Sequence, residues 1–331
     1  MGAAHDVTPF DTMWPPSGDD ILDVWPASQY PDSTIMKQAN QFESSAVGVA
    51  FSDPRLEEVV RQHIGKPNGD IHNAHLTGLT SFGHGATGQR ISSLEGIQHC
   101  VDLTDLDLSN NEIVDINPLN SLGSLIELRL GGNQVVDIRP LVDSPNLRML
   151  CLGDNRIVDI SPLASLANLE ELYLRDNEID SLHPLACLTN LTCLWVSNNR
   201  IPNIRPLTGW HSLRLLSLSK NHIVDIGPLA GSKNLLRLGL AGNRTKVIAP
   251  VSSLSQLSDL SLSDNQIEDM RALSGLAHLQ ELGVADNQIE DIAPLAGLSD
   301  LSRQGLSDNL IENLHPLSAL TKLSKLSLNN N

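Results

Sequence analysis

The sequence has few aromatic residues and no long apolar run. Only 3% of its 331 residues are aromatic whereas 40% are hydrophobic, so a buried core has to be built from aliphatic side chains. None of the apolar stretches reaches the roughly 18 residues that a membrane-spanning helix needs. No basic stretch followed by an apolar run marks a secretory signal. We therefore expect no membrane insertion.

Basic residues are also scarce. The chain has 22 Lys and Arg against 39 Asp and Glu, which gives a formal net charge of −17. Binding to nucleic acid needs a clustered excess of Lys and Arg that neutralises phosphates, so we expect no nucleic-acid partner.

The few cysteines show neither paired metal-ligand spacing nor a small disulfide framework. We expect free thiols, which favour a reducing compartment and hence the cytoplasm. The cell surface or secretion stays open if the gene begins further upstream. The cysteines are Cys100, Cys151, Cys187 and Cys193.

Asparagine recurs at a constant interval of 22 residues from residue 111 onwards. A fixed period of this length, without insertions, is the signature of a solenoid of stacked coils. The asparagines are Asn111, Asn133, Asn155, Asn177, Asn199, Asn221, Asn243, Asn265, Asn287, Asn309 and Asn331.

Each coil has the pattern of one short strand just before its asparagine. The residues five and three positions earlier are apolar, as Leu172 and Leu174 are before Asn177, and this alternation indicates a half-buried strand. No coil can bury its apolar face alone, so stacking has to supply the core. We predict that the asparagine amides turn inward and satisfy backbone groups of their own and adjacent coils, which is a structural role.

Aspartate often follows the asparagine by four positions and proline by seven, as Asp137 and Pro140 follow Asn133. A stacked row of carboxylates could bind calcium, but Ser181 and Val247 interrupt it. We interpret the aspartates as caps of short helical turns that carry the proline in their first turn. We expect no metal and no other cofactor.

The combined pattern, L-x-x-L-x-x-L-x-L-x-x-N-x-I-x-D-I-x-P-L, resembles the 22-residue class of leucine-rich repeats. Such repeats occur in bacterial internalins and in the leucine-rich-repeat regulators of protein phosphatase 1. The resemblance covers about residues 83–331. It implies an α/β repeat solenoid, a horseshoe or arc with a parallel β-sheet on the concave face and short helical turns on the convex face. It leaves the partner undefined, because one fold hosts many functions.

The segments before the regular repeats predict an arm and a cap. Residues 1–50 are acidic, contain several prolines and hold half of the aromatic residues, which predicts an irregular arm. This arm is either a linker without a role or a segment that docks on a partner or on the solenoid. Asp53 and Pro54 begin a helix and Gly65 ends it, so residues 51–82 resemble the helical N-terminal cap of internalin-like proteins. Residues 83–331 then hold one degenerate coil, with Gln89 in the asparagine position, and about eleven coils, the last ending mid-repeat.

The residues six, four and two positions before each asparagine should face solvent on the concave side. Tyr173 and Trp195 occupy such positions in adjacent coils, although the repeats hold only three aromatic residues. The third, Trp210, replaces a leucine and should be core. Because Tyr, Trp and Arg dominate interface hot spots, we predict a partner-binding surface there; the alternative is that the two rings only fill a groove between coils. The predicted surface comprises Arg129, Met149, Cys151, Tyr173, Arg175, Trp195, Arg200 and Leu215, a basic and aromatic middle that would suit a partner of mixed charge.

No motif indicates catalysis. Residues 83–88 read GHGATG but lack the Lys-Ser or Lys-Thr that a phosphate-binding loop requires. We expect a non-enzymatic module that binds a protein partner of unknown identity, as the resemblance to internalins implies. An intracellular regulatory scaffold like the phosphatase regulators is an alternative, and the binding domain of a larger enzyme is another. The oligomeric state stays open.

Overall fold

The computed structural model describes residues 48–83 and 85–331, so nearly all of the predicted arm lies outside the described residues. The contacts within the chain group them into two units, 48–169 and 170–331. The division falls inside the repeats, and the boundaries expected at residues 50 and 82 stay predictions.

The first helix of the first unit is the predicted cap helix. Helix α1 (Pro54–His63) starts at Asp53, whose carboxylate accepts hydrogen bonds from the backbone N–H of Arg55 at 2.9 Å and of Ser92 at 2.8 Å. The second bond ties the helix start to the degenerate coil. Leu56, Val59 and Val60 form the buried face of the helix.

The remaining elements of the first unit are short strands, one more short helix and 3₁₀ helices. Strands β1 (Gly48–Val49) and β2 (Ile71–His72) pair antiparallel, and α2 (Asn73–Leu76) follows. A parallel sheet is formed by β3 (Ser81–Phe82), β4 (Asp105–Asp107), β5 (Glu127–Arg129) and β6 (Met149–Cys151). The 3₁₀ helices are Ile97–His99, Asn117–Ser121, Arg139–Leu141 and Ser161–Ser165.

The second unit consists of repeats only. Its parallel sheet comprises β7 (Glu171–Tyr173), β8 (Cys193–Trp195), β9 (Leu215–Ser217), β10 (Arg237–Gly239), β11 (Asp259–Ser261), β12 (Glu281–Gly283), β13 (Arg303–Gly305) and β14 (Lys325–Ser327). The 3₁₀ helices between the strands are His183–Leu185, Arg205–Leu207, Gly227–Gly231, Ala249–Ser253, Arg271–Leu273, Ala293–Leu295 and His315–Ala319.

From β4 onwards, within the parallel sheet of each unit, a strand residue pairs with the residue 22 positions further on, as Leu194 pairs with Leu216, whereas β3 pairs with β4 at an offset of 24. The middle residue of each strand from β4 to β12 points into an aliphatic core, to which Trp210 also belongs, as predicted. In β13 this residue is the buried Gln304, and in β14 it is Leu326, which is 39% exposed. The predicted leucine-rich-repeat solenoid with a parallel sheet and short helical turns is therefore confirmed. No helix in the described part of the chain is long and apolar enough to cross a membrane.

Within each unit, the asparagines that recur every 22 residues bond both to their own coil and to the coil before it. In Asn221 the side-chain oxygen accepts from the N–H of Ile201 in the preceding coil at 3.0 Å. Its Nδ2 donates to the carbonyl of Val196 in that coil and to the carbonyls of Leu218 and Ser219 in its own, at 3.0 to 3.2 Å. A buried amide thus supplies partners to backbone groups that the bend would otherwise leave unpaired.

The asparagines that recur every 22 residues form a ladder along the coils. The residue before each ladder asparagine adopts a left-handed backbone, with φ of 54° at Asp176 and 51° at Asn198. Aspartate, asparagine and glycine tolerate that conformation best, which explains why they precede most ladder asparagines. Gln89, in the degenerate coil, does not replace the asparagine: its side chain is exposed and donates only to the nearby carbonyl of Thr87.

The aspartates four positions after the asparagine are the predicted N-cap residues of the helical turns. They lie one residue before the N-cap instead, and still accept a hydrogen bond from the turn. The N-cap residue is the apolar residue that follows, such as Ile116, while the Asp115 carboxylate accepts from the N–H of Asn117 at 2.9 Å. The turns are 3₁₀ helices, which suits segments of three to five residues with a proline that donates no hydrogen bond.

A second set of side-chain to backbone bonds, which the sequence analysis missed, also links coils. Asn146, Asn168 and Asn234 each donate to a carbonyl 23 residues earlier, at 2.8 to 2.9 Å. Hydroxyl groups at the start of several strands do the same, as Thr192 does to the carbonyl of Glu170 at 3.1 Å. Each such bond adds a fixed contact between neighbouring coils.

Candidate functional site

On the solvent face of the sheet in the second unit, the two aromatic side chains and Leu215 lie at one end, on β7, β8 and β9. Glu171 and Tyr173 flank the buried Leu172 on β7, and they are half-buried. Strand alternation puts both on the solvent face because successive side chains point to opposite sides. On the strands that follow, the position of Tyr173 is taken by Ser217, Gly239, Ser261, Gly283 and Gly305, all of them buried.

Tyr173 and Trp195 lie directly opposite each other on β7 and β8. Their ring centroids are 5.5 Å apart and the ring planes make an angle of 75°, the edge-to-face arrangement that aromatic pairs prefer. Both rings are half-buried, so they pack on each other, as the alternative interpretation required, and still keep accessible surface.

The Tyr173 hydroxyl donates a hydrogen bond to Glu171 Oε2 at 2.8 Å, which fixes the carboxylate at the edge of the ring. Burial, together with the Cys193 thiol and the Glu171 charge, raises the pKa of Tyr173 far above its usual range. The phenol therefore stays a neutral donor at any physiological pH.

Cys193 does not face solvent, although its position in the repeat predicted that it would. It is only 4% exposed, because the larger side chains around it cover a short thiol that lies against the Tyr173 hydroxyl. Burial raises the pKa of this thiol to about 12. Leu215, its partner in register on β9, is half-buried and adds an apolar side chain to the same face.

The arginines in the second unit that sequence reasoning assigned to the surface lie against carboxylates. Arg175 approaches Asp176 at 3.3 Å, and Arg200 pairs with Glu178 at 2.9 Å. Arg200 follows the buried Asn199, so it lies in the bend after β8 and not on the strand. Because these charges are matched nearby, the face is less basic than the sequence suggested.

Three of the predicted surface residues belong to the first unit. Arg129 on β5 pairs with Glu127 at 2.8 Å, and its partner in register on β6 is Cys151. Met149 and Cys151 are half-buried and lie two residues apart on β6. These residues form a small cluster on the sheet of that unit.

No cluster of three or more Asp, Glu, His or Cys side chains is placed to hold a metal ion within residues 48–83 and 85–331. The cysteines of this part are unbridged: Cys100 and Cys193 are buried, Cys151 is half-buried and Cys187 is exposed.

Comparison with known proteins agrees with this architecture. The family model for leucine-rich repeats (two copies) matches residues 123–166, 167–209 and 255–297. No curated protein sequence matches the chain.

Among solved structures, an internalin from Listeria monocytogenes is 29% identical with a TM-score of 0.73, and the match covers 88% of this chain and all of that one. A leucine-rich-repeat protein from Leptospira interrogans is 25% identical with a TM-score of 0.64, over 73% of this chain and 70% of that one. The functional domain of a second Listeria monocytogenes internalin, at 20% identity and a TM-score of 0.74, covers 84% of this chain and 60% of that one, and shares the fold.

Proposed function

We propose that this chain, which is a leucine-rich-repeat protein similar in fold to bacterial internalins, is a non-enzymatic module that binds a protein partner on the solvent face of its sheet. The observation that carries the proposal is the pair Tyr173 and Trp195, two half-exposed aromatic rings side by side on adjacent strands. Large aromatic side chains held on a rigid scaffold are the usual anchors of protein interfaces.

The other strands of the second unit carry no aromatic side chain on their solvent face, which supports placing the binding surface at Tyr173 and Trp195. Beyond β9 the position of Tyr173 and Trp195 holds only serine and glycine, which offer no anchor of comparable area. The arginines on that part of the face, Arg237 and Arg303, pair with Asp259 and Glu281. Binding energy at interfaces concentrates in a few large residues, so we place the centre of contact at the aromatic pair and Leu215. Arg175 and Arg200 extend the proposed surface in this unit, and Arg129, Met149 and Cys151 extend it in the first unit.

A regulatory scaffold inside the cell is the second candidate function, and the cysteines favour it. Cys187 is an exposed free thiol, and Cys100 and Cys193 are buried without a bridge. Unpaired thiols suit a reducing compartment, whereas secreted proteins seldom keep them. We therefore propose a cytoplasmic location, with an adhesin-like role at the cell surface as the competing assignment.

The test is affinity capture with the immobilised chain from lysate and from the cell-surface fraction of the source organism. We compare wild type, the double variant Tyr173→Ala/Trp195→Ala and the control Val224→Ala/Val247→Ala, whose valines are exposed and lie away from the strands. Circular dichroism verifies that all three proteins are folded. A protein retained by wild type and control but lost by the aromatic variant supports the proposal, and its compartment separates the two roles.

Equal capture of the same protein by all three chains contradicts the aromatic surface. Loss of one hot-spot residue typically weakens binding by about 2 kcal/mol or more, roughly 30-fold, so a real contact at the pair would be detected.

A further inference from the structure

We propose that Glu171, Tyr173 and Trp195 together receive a cationic side chain, lysine or arginine, of the partner. This inference rests on the proposed function, because it names the chemistry of the group that the aromatic pair would bind. Three properties of the cluster carry it: an unneutralised carboxylate, uncharged neighbours and two rings at a steep angle.

The carboxylate of Glu171 has no basic partner among the described residues. Its hydrogen bond comes from the neutral Tyr173 hydroxyl at 2.8 Å. The nearby arginines are matched with other carboxylates: Arg175 with Asp176 and Arg200 with Glu178. Glu171 in β7 is thus a half-buried negative charge, and a partner that covered it without supplying a cation would desolvate it at a cost.

The side chains beside Glu171 on the solvent face of β7, β8 and β9 add no charge. Burial keeps both the Tyr173 phenol and the Cys193 thiol protonated, with the pKa of the thiol raised to about 12, and Leu215 is apolar. The site therefore carries a single negative charge at neutral pH. An acidic partner residue would be repelled, and a neutral one would leave the carboxylate unpaired.

The two rings lie beside the carboxylate. Their planes are inclined at 75° with centroids 5.5 Å apart, and the Tyr173 hydroxyl at the edge of one ring holds Glu171. The faces of Trp and Tyr rings attract ammonium and guanidinium groups, and a carboxylate adds a charge-assisted hydrogen bond. The net charge of −17 would also favour the approach of a cationic partner.

The experiment follows the indole N–H signal of Trp195 in ¹⁵N-labelled full chain, identified by its loss in Trp195→Phe. The probes are acetyl-Gly-Arg-Gly-amide and the same peptide with citrulline, which has the shape of arginine without its charge. We compare wild type with Glu171→Gln, which can still accept the Tyr173 hydrogen bond. The matched control is Glu127→Gln, a substitution at the equivalent position of β5, where the carboxylate already pairs with Arg129.

We expect the arginine peptide to shift the Trp195 signal saturably and about fivefold more tightly than the citrulline peptide. Glu171→Gln should reduce arginine binding to the citrulline level, and Glu127→Gln should leave it unchanged. Equal binding of the two peptides, no effect of Glu171→Gln, or no shift of the Trp195 signal would each overturn the inference.

The same variant separates this inference from the proposed function. If capture of a partner is lost with Tyr173→Ala/Trp195→Ala but unaffected by Glu171→Gln, the aromatic surface stands and the cation site is wrong. If neither variant alters capture, the proposed function itself fails.

Discussion

Replacing Gln304 with leucine should stabilise the C-terminal part of the second unit. Gln304 lies in the middle of β13, in register with Leu282 on β12 and Leu326 on β14, and it is fully buried. Within the described chain, neither the nitrogen nor the oxygen of its side-chain amide has a hydrogen-bond partner. The amide has therefore lost its hydration without a compensating bond.

The size of the effect follows from that defect. Leaving a buried polar group unsatisfied costs about 1–3 kcal/mol, and this amide has both a donor and an acceptor to satisfy. Leucine is of similar size and would add apolar burial. Leu326 on the next strand is 39% exposed, so that strand can relax around residue 304. We therefore expect the free energy of local opening to rise by about 2–3 kcal/mol, less than the costs of the unsatisfied donor and acceptor added together.

Hydrogen exchange followed by mass spectrometry is the assay, because repeat arrays open locally and a global melt would blur the change. At about 1.4 kcal/mol per factor of ten, exchange in β12 to β14 should slow roughly 30- to 140-fold. The control is Leu282→Gln, which places the same amide one strand earlier and should speed exchange there. Unchanged or faster exchange in a folded Gln304→Leu protein would refute the reasoning, since it would mean that the amide is satisfied in solution.

Other predictions concern the asparagine ladder, the thiols and one carboxyl group. Asn221→Ala should lower the free energy of unfolding in urea by about 3 kcal/mol or more, because it removes partners from several buried backbone groups. With a thiol reagent, Cys187 should react at once and Cys193 only after unfolding, since burial raises the pKa of the latter to about 12. Burial and the charge of Glu127 raise the pKa of Asp105 above its unfolded value of 3.8. The contribution of Asp105 to the free energy of unfolding therefore falls as the pH rises from the unfolded pKa through the folded pKa. Asp105→Asn should thus stabilise the chain in urea at pH 7 but not below about pH 3.

The strands and the core could be predicted from the sequence alone, because both follow from the 22-residue repeat. A strict 22-residue interval with alternating leucines leaves few backbone arrangements, and residues such as Leu172 and Leu216 could be placed inside without further information. The start of α1 was equally predictable, because Asp53 followed by Pro54 is a local signal.

Side-chain contacts between coils were harder to predict. Cys193 is buried by neighbours on adjacent strands, and the pairing of Arg200 with Glu178 depends on how two long side chains meet across a bend. The second asparagine row had a usable signal, since Asn146 and Asn168 are also 22 residues apart, but Ser212 interrupts it. Position in the repeat gives the face on which a residue lies, whereas exposure and pairing depend on what its neighbours are.

The asparagine ladder also affects how such a protein can change in length. Within each unit, the ladder amides connect one coil to the coil before it through the same bonds, as Asn221 and Asn243 do. Removing or duplicating one whole coil would therefore recreate the same bonds at the new junction, while a gain or loss of any other length would leave backbone groups unpaired there. The fold thus lets evolution lengthen or shorten the array in whole repeats, and reassort the residues of its solvent face, without redesigning the interior.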